Sequence, residues 1–299
     1  MPATLLWSLT MTATSSIAHN GVTKGTTTLL RRETIIQPDG HPVQVPVISG
    51  NSFRGRLRRI GEELLRDTLD YEGALSLSAA HALRGGGSLA KTSGEPLSGQ
   101  RLNNLRTHVP HVGIFGCAAG GRIIDGCLQV GKVIPHLAET AHLLTPTPST
   151  TLSAFATAQV ETYMRRDDTT AHACTELMGT HRIDVDAHGN PVLEQLPPLA
   201  EASSQLMQFH VETLPAGTQL SSWLRLERAT DLEVAFFTDV LTAFVADGRL
   251  GGRAAIGHGQ VRTEHSSTHL AGPAPTTLDW RERILAHRED TLTALAALT

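Results

Sequence analysis

The segment from Leu5 to Thr12 alternates closely enough to define its own conformation. Leu5, Trp7, Leu9 and Met11 interleave with Leu6, Ser8, Thr10 and Thr12, and a period of two places the first set on one face of a β-strand. A strand with one strongly apolar face has to be covered, so the rest of the chain must supply a layer that packs on it. Two segments are suited to that role. From Asn51, the residues Phe53, Leu57, Ile60 and Leu64 recur at the three-and-four spacing of an amphipathic helix, with Asn51 or Ser52 as its N-cap. A second helix is capped by Asp231, carries Leu232, Phe236, Val240 and Phe244 at every fourth position, and stops at Gly248.

The remaining order is read from turns and alternation. The polar segment Ser15 to Gly25 reads as a loop, and Thr34 to Gln37 leads through Pro38-Asp39-Gly40 into Val43 to Ile48 as a hairpin. Met207 to Leu214 and Gln219 to Leu226, joined by Pro215-Ala216-Gly217, read as a second hairpin. Gln260 to Thr263 is a short last strand and Arg281 to Leu298 a terminal helix. Residues 73–205 are rich in Gly, Ser, Thr and Pro, with a loop at Gly85 to Gln100, and read as an insertion. Without it the order is strand, helix, strand, strand, helix, strand. That is the α+β, ferredoxin-like (RRM-like) arrangement, formed here by residues 1–72 and 206–266, with residues 267–299 as a C-terminal helical extension.

Composition narrows the function. With 40% hydrophobic residues among 299, the chain can bury a large core. A formal net charge of -4 excludes indiscriminate coating of nucleic acid through bulk positive charge, so any such site must be local. Only 4% of residues are aromatic, which favours backbone contacts over a platform of stacked rings. No apolar run is long enough for a bilayer, and MPATLLWSLTMTATSS lacks the positive start of a secretory signal. The expectation is a soluble cytoplasmic protein with no membrane partner. Cys117, Cys127 and Cys174 are too few for a disulfide framework and are expected to be free thiols.

Two segments carry the chemistry. ISGNSFRGRLRR places Arg54, Arg56, Arg58 and Arg59 near the start of a helix. Arg58 with Glu62 and Arg59 with Glu63 have the i,i+4 spacing of surface salt bridges. Arg54 and Arg56 have no acid within one turn and sit where the helix dipole disfavours cations. Unpaired N–H groups, the small residues Ser49, Gly50 and Ser52, and two forked guanidinium groups are the parts of a phosphate site. The second segment, GRLGGRAAIGHGQV, holds five glycines. Gly248 alone serves as a helix cap, and the extra glycines suit a backbone that approaches a ligand closely, with Arg253 and His258 adding polar contacts. Basic helix start and glycine-rich loop together read as a surface for a polynucleotide backbone.

Other motifs are set aside. GGGSLAKT at Gly85 to Thr92 misses the nucleotide-binding P-loop, because Ala90 stands where glycine is required and a helical pattern precedes it. His108, His111 and Cys117 have no second pair of ligands at zinc-binding spacing and read as structural or surface residues. His19 and His258 lie in loops near the proposed site, where general acid–base cleavage of RNA is conceivable but hydrogen bonding is the commoner role.

Several segments together resemble the RAMP superfamily of CRISPR proteins, specifically the Cas seven family that forms the backbone of multi-subunit effector complexes. They are VPVISGNSFRGRLRR, HVGIFGCAAGGRIIDGCL, VETYMRRDDTT, and HVETLPAGTQL followed by a helix and LGGRAAIGHGQV. The resemblance implies a ferredoxin-like palm with an inserted finger and thumb region over residues 73–205, and copies that stack helically along a guide RNA (crRNA). Target nucleic acid would be read by guide base pairing, and other CRISPR effector subunits would be partners. Carried over residue by residue, it implies RNA contacts from His19, Asn20, Ser49, Asn51, Ser52, Arg54, Arg56 and Arg58. It adds Met164, Arg165 and Arg166 in the thumb, and Gly252, Arg253, Gly257 and His258 in the glycine-rich loop.

Members of this family that cut RNA carry an aspartate in the loop after the first strand, whereas SSIAHNGVTKGTT contains no acid. Binding without cleavage follows, with no catalytic residue, cofactor or metal expected. The SIAHNG loop and the overall pattern are most like type IV systems. The competing enzyme reading is a RAMP-type endoribonuclease that processes guide RNA with loop histidines. A ferredoxin-like protein without nucleic acid is the third.

Overall fold

The computed structural model describes residues 2–87, 99–119, 122–145, 152–155, 159–165, 181–195, 207–296 and 298. In chain order, β1 (Ala3–Ala13), β2 (Asn20–Lys24), β3 (Thr27–Leu30), β4 (Arg32–Ile36) and β5 (Pro42–Pro46) lead to the helices α1 (Gly50–Leu69), α2 (Leu77–Gly85), α3 (Gly99–His108) and α4 (Pro110–Phe115). Short strands follow: β6 (Cys117–Ala119), β7 (Arg122–Ile124), β8 (Leu128–Val130) and β9 (Ile134–Pro135). Then come β10 (Gln159–Arg165), β11 (His181–Val185), β12 (Pro191–Gln195), β13 (Met207–Thr213) and β14 (Gln219–Ala229). The chain closes with α5 (Asp231–Asp247), β15 (Val261–Ala271), α6 (Trp280–Ala286) and α7 (Arg288–Ala296). It is a mixed α+β protein built on largely antiparallel sheets. No helix among the described residues is long and apolar enough to cross a membrane.

The central sheet has the order β15-β1-β14-β8, with β9 also on β14, and every pairing is antiparallel. From Trp7 onward, β1 keeps its expected alternation: Trp7, Leu9 and Met11 are buried and Ser8 and Thr10 exposed. The buried face is covered by α1 and α5. Trp7 meets Phe237 edge-on at 5.2 Å between centroids, and Phe53 meets Phe244 at 5.0 Å. Each fully buried aromatic here contributes several kcal/mol through area burial and ring contact, about 3–5 kcal/mol judged by the usual cost of Phe→Ala.

The helix ends differ from the sequence expectation by one or two residues. Ser49, not Asn51 or Ser52, caps α1 by accepting from the Ser52 N–H at 3.2 Å. Thr230, not Asp231, caps α5 in a capping box with Glu233, whose carboxylate bonds back to the Thr230 N–H. The terminal helix is two helices, broken at His287.

Strand pairing departs further. The hairpin Pro38-Asp39-Gly40 forms as expected, with β4 and β5 antiparallel. The segments 207–214 and 219–226 do not form one. β13 pairs with β10 and, in parallel, with β3, while β14 enters the central sheet. The turn between them is held by tertiary bonds, the Gly217 N–H to Ala13 O at 2.7 Å and the Leu214 N–H to Ile17 O at 2.9 Å, which route the two strands into different sheets. The polar segment Ser15 to Gly25 contains β2, which pairs with β3, so the second sheet has the order β10-β13-β3-β2. The last strand runs eleven residues and not four. Residues 73–205 supply β8 and β9 to the central sheet, so that segment is partly woven into it. Gly85 ends α2 and Gly86 is its left-handed C-cap, and the rest of GGGSLAKT from residue 88 lies outside the described residues.

Candidate functional site

The start of α1 and the glycine-rich loop are linked through a third segment. The loop after β1 lies between the other two: Ala18 forms a bridge with Gly252, whose N–H bonds to Ala18 O at 2.7 Å. One residue on, the Ser49 N–H donates to His19 Nε2 at 3.2 Å. Glycine-rich loop, first loop and α1 start are therefore one continuous assembly, joined on one side by a backbone bridge and on the other by the His19 side chain. Exposed Asn20 and Asn51 and half-buried Ser52, Gly252 and Arg253 all belong to it.

The glycines are divided in role. A Cβ at Gly251 would lie 2.6 Å from Ala18 O, and one at Gly259 would lie 2.2 Å from Leu250 O. Those two are glycine because the loop packs on its own protein. Gly257 has φ +91 with nothing near the Cβ position, so only there is the backbone both left-handed and open to an incoming ligand. Gly50 is likewise internal: a Cβ there would meet Val130 O at 2.7 Å.

The arginines of α1 correct the sequence reading. Arg54 donates to Leu128 O and, at 2.9 Å, to Phe115 O. Arg58 is buried and donates to Phe115 O and to Gly116 O at 2.8 Å, joining α1 to the end of α4. Burial, and then the neighbouring charge of Arg54, push the Arg58 guanidinium down to about 10. Arg56 is paired with Asp247 at 2.6 Å. The clash of Arg54 and Arg56 with the helix dipole is thus relieved inside the protein, by carbonyls and a carboxylate from distant elements, and the Arg58 guanidinium is likewise bonded to internal carbonyls. Nor do the i,i+4 pairs form. Glu62 and Glu63 instead face Arg84 of α2, at 2.7 and 3.6 Å.

That leaves Arg59 exposed, with no ion pair within 4 Å among the described residues and only a longer-range attraction to Glu63. Burial, then the charges of Arg56 and Arg84, hold its guanidinium below the ordinary arginine value. It lines an open cavity of about 470 Å³ with Asn51, Ser52, Arg54, Gly55, Arg58 and Arg84. Cations crowded at a helix start with small and amide side chains make a place for an anion. The i,i+4 spacing of Arg59 with Glu63 suggests a salt bridge that does not form, and the turn of α2 toward α1 brings Arg84 beside it.

His258 sits at the centre of a second cluster. It is buried, with Nδ1 at 2.9 Å from Ser16 Oγ and Nε2 against the Tyr163 hydroxyl. Tyr163 also donates to Glu161 at 3.0 Å and stacks on Phe209 at 5.3 Å between centroids. The Arg253 guanidinium lies over that same Phe209 ring at 5.6 Å. The glycine-rich loop is thereby fixed to β10 and β13. Along β10 the residues Glu161 and Tyr163 face this cluster, while Val160 and Met164 stand 57% and 65% exposed on the other face. The Arg165 side chain and all of Arg166 lie outside the described residues.

Both loop histidines are held by hydrogen bonds within the protein. Both ring nitrogens of His258 are engaged, and His19 Nε2 accepts from Ser49. Burial, then Arg31, lowers the His19 pKa. His111 is structural, fully buried with Nε2 bonded to Arg58 O at 3.1 Å. The Cys117 and Cys127 thiols are free and pushed up by burial to about 11 and about 12, and Cys174 lies outside the described residues.

No curated protein matches the sequence. Among solved structures, a chain of a Type IV-B CRISPR complex is similar to it at 35% identity and a TM-score of 0.61, covering 91% of this chain and 95% of that one. The RAMP superfamily matches over residues 11–262, which takes in the end of the first strand, α1, the β10–β13 ribbon and the glycine-rich loop. The chain belongs to the RAMP superfamily.

Proposed function

We propose that this protein is a non-catalytic, guide-RNA-binding backbone subunit of a type IV CRISPR effector ribonucleoprotein. In this reading it acts in the cytoplasm. The sheet β15-β1-β14-β8 with α1 and α5 is a ferredoxin-like palm, and the β10–β13 ribbon is the root of a thumb. Copies of the chain stack helically along the RNA beside other effector subunits, and the guide bases pair with target nucleic acid.

The observation that carries the reading is the continuous surface made by the α1 start, the first loop and the glycine-rich loop through the His19–Ser49 and Ala18–Gly252 contacts. It offers amide and hydroxyl side chains, the open backbone at Gly257 and the Arg59 guanidinium, which suit a phosphate backbone and carry no base preference. The likeness to a chain of a Type IV-B CRISPR complex supports the assembly. The absence of an acid from the first loop supports binding without target cleavage, and the engagement of His19 Nε2 and of both His258 ring nitrogens within the protein counts against the processing-enzyme alternative.

The test is purification after co-expression with the neighbouring subunits and a repeat RNA. The expected outcome is co-purified RNA protected at a regular interval per subunit. An absorbance ratio of pure protein would refute RNA binding. Metal-independent cleavage of repeat RNA that disappears in His19→Ala or His258→Ala would refute the non-catalytic role.

A further inference from the structure

His108 ends α3, and His287 stands at the break between α6 and α7. Their rings face each other at 5.7 Å between centroids, tilted by 56°. Asp290, one turn beyond His287, brings Oδ2 to 3.5 Å from His287 Nδ1. One ligand atom from each of the three lies within 4.8 Å of the others. The His108 ring is half-buried, yet among the described residues it has no hydrogen-bond partner, so its lone pair is unused.

We propose that His108, His287 and Asp290 form a transition-metal site, suited to zinc, that clamps α3 to the C-terminal helices. Two imidazoles and one carboxylate are a zinc donor set, whereas magnesium and calcium favour oxygen ligands throughout. Metal–ligand distances of about 2.0–2.2 Å require the three atoms to close by roughly an ångström, within the reach of side-chain rotation. The backbone that presents them is already fixed. The His287 N–H bonds to Ile284 O and Leu285 O, its carbonyl accepts from Thr291 Oγ1 at 2.9 Å, and the next residue, Arg288, holds Leu69 O at 2.9 Å. Leu105 of α3 and Leu295 of α7 are buried. Arg283 lines the same crevice, and its charge opposes any cation there, so the ion must be held by coordination to the imidazoles. Half-exposed His287 and exposed Asp290 leave an entry path and a fourth position for water.

The test is calorimetric titration of the chelator-stripped full chain with zinc chloride, beside thermal denaturation and a magnesium chloride control. One zinc per chain is expected, with no response to magnesium and a midpoint rise of about 5 °C at a hundredfold excess over Kd. His108→Gln and His287→Gln should each abolish that equivalent. Because either substitution could loosen the helices, Co2+ binding to the unmodified chain provides a second measurement: four-coordinate visible absorption is expected. Absence of stoichiometric zinc or cobalt binding to the unmodified chain overturns the proposal, as does zinc binding of unchanged affinity in either variant.

Discussion

Arg56 of α1 and Asp247, the last residue of α5, form an ion pair at 2.6 Å that joins two helices whose partners stand 191 residues apart in the chain. Each side chain is about three-quarters buried, with 22% and 24% exposed, and Arg249 approaches the same carboxylate at 3.7 Å. The pair occupies the guanidinium that the sequence offers most directly to a phosphate. Asp247→Asn should therefore release Arg56 and raise the steepness of log K against log salt for RNA binding by about 1. Arg56→Ala should leave that slope unchanged while lowering stability by about 1 kcal/mol. Salt-dependent binding and urea denaturation of the two variants check both outcomes. A slope that falls in Arg56→Ala would return Arg56 to the interface.

Arg58 and Arg59 are neighbours with opposite predictions. Arg58 is buried and holds carbonyl oxygens at the end of α4, so Arg58→Met should cost about 3 kcal/mol by leaving those acceptors unpaired. Arg59 touches solvent and lines the open cavity at the start of α1. Arg59→Ala should leave the denaturation midpoint in place and reduce the salt slope by about 1.

His111 makes stability depend on pH. Burial, and then Arg58, bring its pKa down to about 3 in the folded protein, against 6.5 for the free side chain. A depressed histidine favours the neutral form in the fold, so its contribution is complete above pH 6.5. It is lost as pH falls, because the unfolded chain takes up the proton first. Between pH 7 and pH 5 this amounts to about 2 kcal/mol. His111→Gln keeps an N–H donor for Arg58 O without the titration. Urea denaturation at both pH values should show that loss in the unmodified chain and a smaller one in the variant.

What was legible in the sequence was local. The alternation of β1 and the apolar stripes of α1 and α5 each depend on a single element meeting one core, and periodicity reports that directly. Pairing choices were not legible. The turn at Pro215 to Gly217 suits a hairpin, but Ala13 O captures the Gly217 N–H and sends β14 to β1. The site was legible in outline, as a helix start and a glycine-rich loop. Its chemistry was not, because the partners of Arg54, Arg56 and Arg58 lie far away in sequence, and those of Arg54 and Arg58 are backbone carbonyls, which no residue type marks.

The glycine-rich loop gives a final pair of variants that separates packing from ligand approach. Gly257 and Gly259 both have positive φ, +91 and +82, so alanine at either costs about 1 kcal/mol in backbone strain. At Gly259 the new Cβ also runs into Leu250 O at 2.2 Å, and backbone cannot move aside as a flexible side chain can. Gly259→Ala should therefore displace the loop from Ser16 and Ala18 and lower the denaturation midpoint well beyond the strain alone. At Gly257 the Cβ meets nothing within the protein, so Gly257→Ala should cost only the strain. If RNA passes over this open left-handed backbone, the added methyl stands in its way, and affinity should fall about tenfold with the salt slope intact, because no charge has been removed. Parallel affinity and denaturation measurements decide the matter: unchanged affinity in Gly257→Ala would place the RNA away from the tip of this loop.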